Sequence, residues 1–486
     1  VNRYALLLVL AACGDNLPPP TVRECSHLAP PPTGMGLDAA REAHRRGALR
    51  QRLRYREAIE PGYVLRETAL VADQARIDRD QVCGQELYEV GRILFAHDFI
   101  PDEPFRRVQV GRRGGPETTS CTSCHWRGGA GGAGGYTDNA LLRGDGDRVT
   151  SADARNPPSL IGSGVAQALG EEMTAELAAL RADAIARARR TEAAIEVELV
   201  AKGIAFGTLH VDARGNVDTR DVRGIDPDLV VRPFGWKGTA ATIHEMVTEA
   251  TALHFGVETE DAALHAAASA DPLELADSVA AELTTGQLTA LSVYVASLEL
   301  PIMTPHEAPV DRADPAGPVQ PYLVDEWVRG REVFDTLGCA SCHVPSLPLT
   351  RATAAITSPV TGGTFAVDLA TQAEAPRITR DPASGAYQAF VFSDFKRHDL
   401  GAENASQHMH GGIAPRLYLT RRLWGVGDSA PYFHDGEAAT VDHAIRRHGG
   451  EAAAVRQAWT ELSTEDRNAL RVFLTSLRRA PRLGVP

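Results

Sequence analysis

The sequence predicts a mainly α chain made of two tandem domains with long loops and a helical insertion in the first. Three observations carry this. The motif CxxCH occurs twice, as Cys121-Thr122-Ser123-Cys124-His125 and as Cys339-Ala340-Ser341-Cys342-His343. A similar segment precedes each copy, Gly91-Arg92-Ile93-Leu94-Phe95 and Gly330-Arg331-Glu332-Val333-Phe334. A similar segment also closes each half, Leu283 to Leu298 and Leu462 to Leu477, sharing the core Ala-Leu-x-Val-aromatic. Helix, motif, loops and closing helix, repeated, describe a duplicated unit. No run of alternating apolar and polar residues stands out as a strand.

Taken in order, the chain opens with Asn2-Arg3, a short apolar run from Ala5 to Leu10, and Ala11-Ala12-Cys13. This has the form of an export signal, and Leu10-Ala11-Ala12-Cys13 resembles a bacterial lipobox. Residues 1–12 are therefore expected to be a signal peptide and Cys13 a lipidation site. The apolar run is too short to span a bilayer. Residues 13–83, with Pro18-Pro19-Pro20 and Pro30-Pro31-Pro32, read as a tether and N-terminal helical extension. The first domain is expected over 84–305, with an Ala/Arg/Glu-rich helical insertion at 171–203 placed on its surface. A Pro-rich, acidic linker follows at 306–321, and the second domain covers 322–486. In the closing segments, Thr284/Thr285 and Ser463/Thr464 read as N-caps, with Leu288, Leu291, Val295 and Leu298 at helical spacing.

Seven cysteines divide into Cys13, the four of the CxxCH motifs, and a remaining pair, Cys25 and Cys83. In an oxidising compartment those two can bond, tying the tether to the first domain. The net charge of -13 argues against nucleic acid as a partner and leaves the lipid anchor as the membrane contact. The run Gly128 to Gly135 lacks the strand, helix and Lys of a phosphate loop, and reads as a flexible loop at the motif's edge.

In CxxCH the two thiols are spaced to add along one edge of a porphyrin, and the adjacent His can then reach the iron. Two copies in a duplicated frame imply two covalently bound haem c groups, each in a cytochrome c-like domain. The rival is one closed zinc site using all four cysteines, which leaves His125 and His343 unexplained. The sixth ligand then decides the chemistry: imidazole on both sides of the iron suits electron transfer, and an open face suits oxidant activation.

The second half carries Arg422-Leu423-Trp424-Gly425-Val426-Gly427-Asp428-Ser429-Ala430-Pro431-Tyr432-Phe433-His434-Asp435-Gly436 and then His448-Gly449-Gly450-Glu451. These motifs resemble the di-haem oxidoreductases, related to the bacterial di-haem cytochrome c peroxidases and to MauG. Ser393 to Gly401, Phe234-Gly235-Trp236-Lys237 and Asn156-Pro157-Pro158-Ser159-Leu160 resemble further motifs of that family. The resemblance runs from about Gly84 to Leu477. One departure is Leu419-Thr420-Arg421-Arg422, where the family usually reads Arg-Thr-Pro-Pro.

The resemblance implies an enzyme that reduces peroxide at the N-terminal haem, with electrons passing through the C-terminal haem. In the family a ligand of the C-terminal haem lies fourteen residues after the His of Tyr-x-His-Asp-Gly. Fourteen residues beyond His434 stands His448, implying iron ligation by His343 and His448. No His occurs between His125 and His210, which implies an open N-terminal iron. The stretch after Trp236 offers His244, Glu245, Glu249, His254 and Glu258. Glu249 and Glu258 are the acid/base candidates, and His254 a candidate distal group or ligand. A calcium ion is implied at Asn156, Ser429 and Pro431. Trp236 and Trp424 are candidates to bridge the haems, and His398-Asp399 a candidate hydrogen-bonded pair. The implied partners are peroxide and a small electron donor, either a c-type cytochrome, a copper protein or a small-molecule reductant. The implied location is a periplasmic or cell-surface lipoprotein of a Gram-negative bacterium. Two other readings stay open: a non-catalytic electron-transfer cytochrome and a dioxygen-using oxygenase.

Overall fold

Two pairs of helices frame the molecule, and each pair crosses at a glycine. The computed structural model describes residues 72–97, 99, 118, 120–144, 148–255, 257, 259, 283–302, 321–382 and 384–479. The signal, Cys13, Cys25, Glu258 and most of the expected linker lie outside these residues. Cys83 is buried and disulfide-bonded.

The first half runs α1 (Gln74–Asp78), α2 (Gly84–Ala96) and a single turn α3 (Cys121–Cys124). Strands β1 (Ala140–Leu142) and β2 (Asp153–Arg155) then pair, and the long α4 (Ser163–Thr191) follows. Next come β3 (Ile195–Ala201), β4 (Ile204–Val211), β5 (Val217–Val222), α5 (Ile243–Ala250) and the closing α6 (Thr285–Ala296). The second half begins with α7 (Pro321–Leu337). Short strands follow: β6 (Leu347–Leu349), β7 (Thr353–Thr357), β8 (Thr364–Asp368), β9 (Tyr387–Ala389), β10 (Arg397–Asp399) and β11 (Leu417–Leu419). It ends on α8 (Val441–Arg447), α9 (Ala453–Glu461) and α10 (Thr464–Ser476).

The closing helices start where the sequence offers caps. Thr284 accepts the Gln287 N–H at 3.2 Å while the Gln287 side chain accepts the Thr284 N–H at 3.0 Å, a reciprocal capping box. Ser463 accepts the Asp466 N–H at 3.0 Å in the same place of the second copy. Helix α6 packs on α2, and α10 on α7. At Gly91 an added Cβ would stand 2.0 Å from the Ala290 carbonyl oxygen, and at Gly330 it would stand 2.0 Å from that of Ala469. Ala290 and Ala469 hold the same place in the repeated segment, so both halves use one crossing. The obstacle is backbone in each case, and side-chain rotation cannot clear it.

The insertion differs from its expectation. The helix begins at Ser163, ahead of the expected insertion, and its first residues, 163–170, are all buried; within 171–191 only Met173, Leu177, Ala184 and Ala188 are buried. It ends at Thr191, and residues 195–222 form an antiparallel three-stranded sheet in the order β3-β4-β5. Along β3 the even-numbered Glu196, Glu198 and Val200 face solvent, while Leu199 and Ala201 are buried. The fold is thus helical with several small antiparallel sheets. Glu172 of α4 binds the buried ammonium of Lys202 at 2.5 Å in the β3–β4 turn. The same carboxylate accepts the N–H groups of Thr350 and Arg351 at 2.9 to 3.0 Å, fastening the insertion to the second half.

The halves are also joined directly behind their closing helices. Glu299 follows α6 and Arg479 follows α10; their Oε1 and Nε lie 2.5 Å apart with both side chains at most 3% exposed. Removing the carboxylate leaves a buried guanidinium without its counter-charge. Glu299→Ala is expected to cost about 3–5 kcal/mol in denaturant unfolding. A loss within about 0.5 kcal/mol would show that the pair does not hold the halves together.

Candidate functional site

Each CxxCH motif lines its own cavity, and the two cavities share one wall. Cys121, Cys124 and His125 border the first; Cys339, Cys342 and His343 border the second. Asn156, Pro157, Pro158 and Trp236 border both. A single site built from all four cysteines, the zinc arrangement, is therefore not formed. Burial pushes the Cys121 and Cys339 thiols up to about 12.

The glycine run after the first motif is a tight turn, not a flexible loop. Arg127 and Ala133 pair across it, and a Cβ at Gly132 would meet the Arg127 carbonyl oxygen at 1.7 Å. The turn presents the Gly132 carbonyl 3.0 Å from His125 Nδ1. In the second motif the Phe392 carbonyl stands 3.1 Å from His343 Nδ1. His448, just after α8, has the Ala444 carbonyl 2.8 Å from its own Nδ1.

A carbonyl only accepts, so each of the three imidazoles carries a proton on Nδ1, which leaves His343 and His448 a lone pair on Nε2, while His125 also meets the Pro158 carbonyl. That is the tautomer a metal-ligating His requires, fixed by an outer hydrogen bond. Burial lowers His125 to about 4, and burial with the charge of His448 lowers His343 to about 4. His448 is lowered too, chiefly by burial. All three stay neutral near pH 7 and able to bind metal.

The His343 and His448 rings both line the second cavity, with centroids 6.4 Å apart and planes inclined at 62°. An iron bound at about 2.0 Å by two Nε2 atoms needs about this separation. The residues present therefore fit a haem with imidazole on both sides. In the first cavity His125 has Phe95 as ring neighbour at 6.5 Å, and Phe95 belongs to α2. Glu249 and His254 line the same cavity, Glu249 on α5 and His254 on the π-turn that extends it. The charge of His254 contributes to lowering His125. His244 is buried away from the cavity lining, and Glu245 caps α5 by accepting the Ala241 N–H at 2.7 Å.

His410 was not legible as a site residue. It sits in a second-half loop, yet it lines the first cavity, with Nε2 3.6 Å from Glu249 Oε1. Nothing in its local sequence marks it. Trp236 donates to the Asn156 carbonyl at 2.8 Å and packs edge-on to His434 at 6.4 Å. Trp424 borders only the second cavity. The ammonium of Lys237, next to Trp236, is buried over the Tyr418 ring and donates to the Pro415 and Leu417 carbonyls. It thereby ties the Trp236 motif to the second half.

The expected pairing of His398 with Asp399 is not formed. His398 Nε2 lies 2.9 Å from Asp394 and Nδ1 lies 2.7 Å from Glu451, while Asp399 takes Arg416 at 3.0 Å. Cys342, Asp394 and His398 cluster closely, but both His398 nitrogens are occupied by carboxylates. Burial alone would lower His398; the bonds to Asp394, Cys342 and Glu451 outweigh it and raise it to about 11. Because the folded value lies above the ordinary 6.5, its stabilisation is complete below that pH and is lost as pH rises toward 11. The melting-temperature advantage over His398→Gln is expected to shrink steadily from about pH 6 to about pH 10. An advantage independent of pH would show that the imidazole is not held charged.

Asn156, Ser429 and Pro431, the residues implied for calcium, all border the second cavity. The Asn156 amide donates to the Gly135 carbonyl and to Asn139 Oδ1, both at 2.9 Å, leaving its own oxygen as an acceptor.

Residues 321–477 match the model of a family described as "Di-haem oxidoreductase, putative peroxidase". Among solved structures the chain is similar to Kuenenia stuttgartiensis hydrazine synthase at 15% identity, covering 86% of this chain and 94% of that one, with a TM-score of 0.35. It is also similar to a MauG-like protein associated with microbial copper homeostasis at 13% identity, covering 87% and 94%, with a TM-score of 0.32. No curated protein matches the sequence.

Proposed function

We propose that this di-haem oxidoreductase is of the peroxidase type, with the oxidant received in the first cavity and electrons delivered through the second. The asymmetry of the cavities carries the reading. In one, two neutral imidazoles stand 6.4 Å apart with their rings inclined at 62°; in the other, His125 has Phe95 as its ring neighbour, and the carboxylate–imidazole pair Glu249 and His410 lines the cavity together with His254. Haem, attached through Cys121/Cys124 and Cys339/Cys342, supplies one-electron redox chemistry and, where a face is open, a place for an oxygen ligand.

The remaining work falls to the chain. Splitting hydrogen peroxide requires a proton to leave one oxygen and reach the other. Glu249 takes that proton and returns it, and His410, 3.6 Å away, positions the carboxylate. Trp236, on the wall between the cavities, is the aromatic group through which electrons cross. The donor is a small redox protein or small-molecule reductant. We assign calcium to the oxygens of Asn156, Ser429 and Pro431, and a lipid anchor to Cys13 on the exported protein.

The test is a low-temperature EPR spectrum of the ferric protein, produced in a host that attaches haem c. One high-spin and one low-spin signal support the reading. Two low-spin signals overturn it and favour the electron-carrier reading, with His254 of the cavity lining as the candidate to cap the first iron. Adding peroxide and dioxygen separately to the same sample distinguishes a peroxidase from an oxygenase.

A further inference from the structure

Two neighbouring arginines border the second cavity without a counter-ion. Arg421 and Arg422 follow β11, and among the described residues neither forms an ion pair with a carboxylate. The guanidinium of Arg421 donates to the Gly235 carbonyl at 3.2 Å, and that of Arg422 to the Pro233 carbonyl at 3.4 Å. Aromatic rings take up the rest of their surroundings: Arg421 lies 5.2 Å from the Trp236 ring, and Arg422 lies 5.8 Å from Phe234 and 5.3 Å from Trp424.

A guanidinium offers five N–H donors in a planar fork suited to a carboxylate. Here each is given one long bond to a neutral acceptor. Two like charges side by side in an apolar wall are costly when no anion faces them. Burial lowers Arg421 to about 10, and burial with the charge of Arg421 holds Arg422 well below its ordinary value. The charge of Arg421 also reaches His125, placing it near the wall between the cavities. Two other cations of low exposure do meet carboxylates, Arg479 with Glu299 and Lys202 with Glu172, while buried Lys237 is satisfied by two short bonds to carbonyls, at 2.6 and 2.8 Å, that neither arginine has. The arginine pair is thus a receptor for anions that are brought into the cavity.

We propose that Arg421 and Arg422 form a carboxylate-binding site whose ligand is the propionate pair of the haem in the second cavity. The site rests on the haem reading given above, and it adds a role for residues outside the iron ligands. Paired in this way, the carboxylates neutralise the arginines, and the arginines in turn screen the propionates from the iron. Removing one guanidinium leaves an uncompensated negative charge beside the iron, which favours the ferric state.

The test is spectroelectrochemical titration of the holoprotein carrying Arg421→Gln, Arg422→Gln, Arg421→Lys or Arg422→Lys, with covalent haem counted by intact mass. Each Gln variant is expected to shift the midpoint potential of the bis-imidazole haem negative, and each Lys variant to restore most of it. Full haem content with unchanged potentials in both Gln variants overturns the proposal. So does equal loss of haem from Gln and Lys variants, since that reports packing and not charge. Haem loss in the Gln variants alone supports it. Succinate is titrated into the wild type as a free dicarboxylate. A potential that responds to succinate and loses that response in Arg421→Gln overturns the assignment to propionates. If two haems are absent by mass even in the wild type, the haem reading itself fails.

Discussion

Replacing His448 with Ala is expected to abolish the low-spin ferric signal of the second haem and leave a high-spin signal in its place. The expectation follows from two distances. His448 stands 6.4 Å from His343 between centroids, and its Nδ1 is engaged by the Ala444 carbonyl at 2.8 Å, so only Nε2 is available to the cavity. The change is all-or-none, because no graded substitute for a coordinate bond remains once the ring is gone. His448→Met separates ligand identity from ligand presence. It should keep the low-spin signal and raise the midpoint potential, since a thioether opposite His favours ferrous iron more than a second imidazole does. A low-spin signal that survives in His448→Ala with wild-type g-values would show that another residue is the ligand.

The second large effect is expected at Glu249. Proton transfer by a positioned side chain contributes about 10²–10⁴-fold to a rate, so Glu249→Gln should lower peroxide turnover by about that factor. The amide keeps the shape and removes the base. His410→Gln acts through Glu249 and should cost less, on the order of tenfold, with the turnover pH profile displaced. Stopped-flow consumption of peroxide measures both, and the resting spectra should be unchanged because neither residue is proposed as a ligand. Unaltered turnover in Glu249→Gln would remove Glu249 from the mechanism and move attention to His254 in the same cavity.

Much of this architecture was legible in the sequence because its signals are local. The CxxCH motifs, the N-caps Thr284 and Ser463, and the glycines at 91 and 330 each act through neighbours in the chain or through one repeated crossing. The β3–β5 sheet was missed although Ile195, Val197, Leu199 and Ala201 alternate with Glu196 and Glu198. That stretch adjoins an Ala/Arg/Glu-rich helix, and the helical composition masked a short two-residue period. His410 and the pair Arg421–Arg422 carry no local signature as site residues. Their roles depend on a loop of one half reaching the cavity of the other, and on the absence of a carboxylate from their surroundings. Both are tertiary facts. The Glu299–Arg479 pair was hidden for the same reason, since the two residues become neighbours only when the segments that follow the closing helices meet.

The helix crossings at Gly91 and Gly330 impose an order of events on the growing chain. The glycine and its partner alanine are separated by roughly 200 residues in the first half and roughly 140 in the second, so each crossing is a late, non-local contact. The Cys121 motif lies between Gly91 and Ala290, and the Cys339 motif between Gly330 and Ala469. Each pair of thiols is therefore synthesised well before the helix that completes its half. In that interval the cysteines are open to water and to whatever attaches the porphyrin. Once the backbones meet, Cys121 and Cys339 are half-buried in the lining of their cavities. Chain order thus gives each half a chronology: its CxxCH motif is made early, and the helix that completes the half is made last.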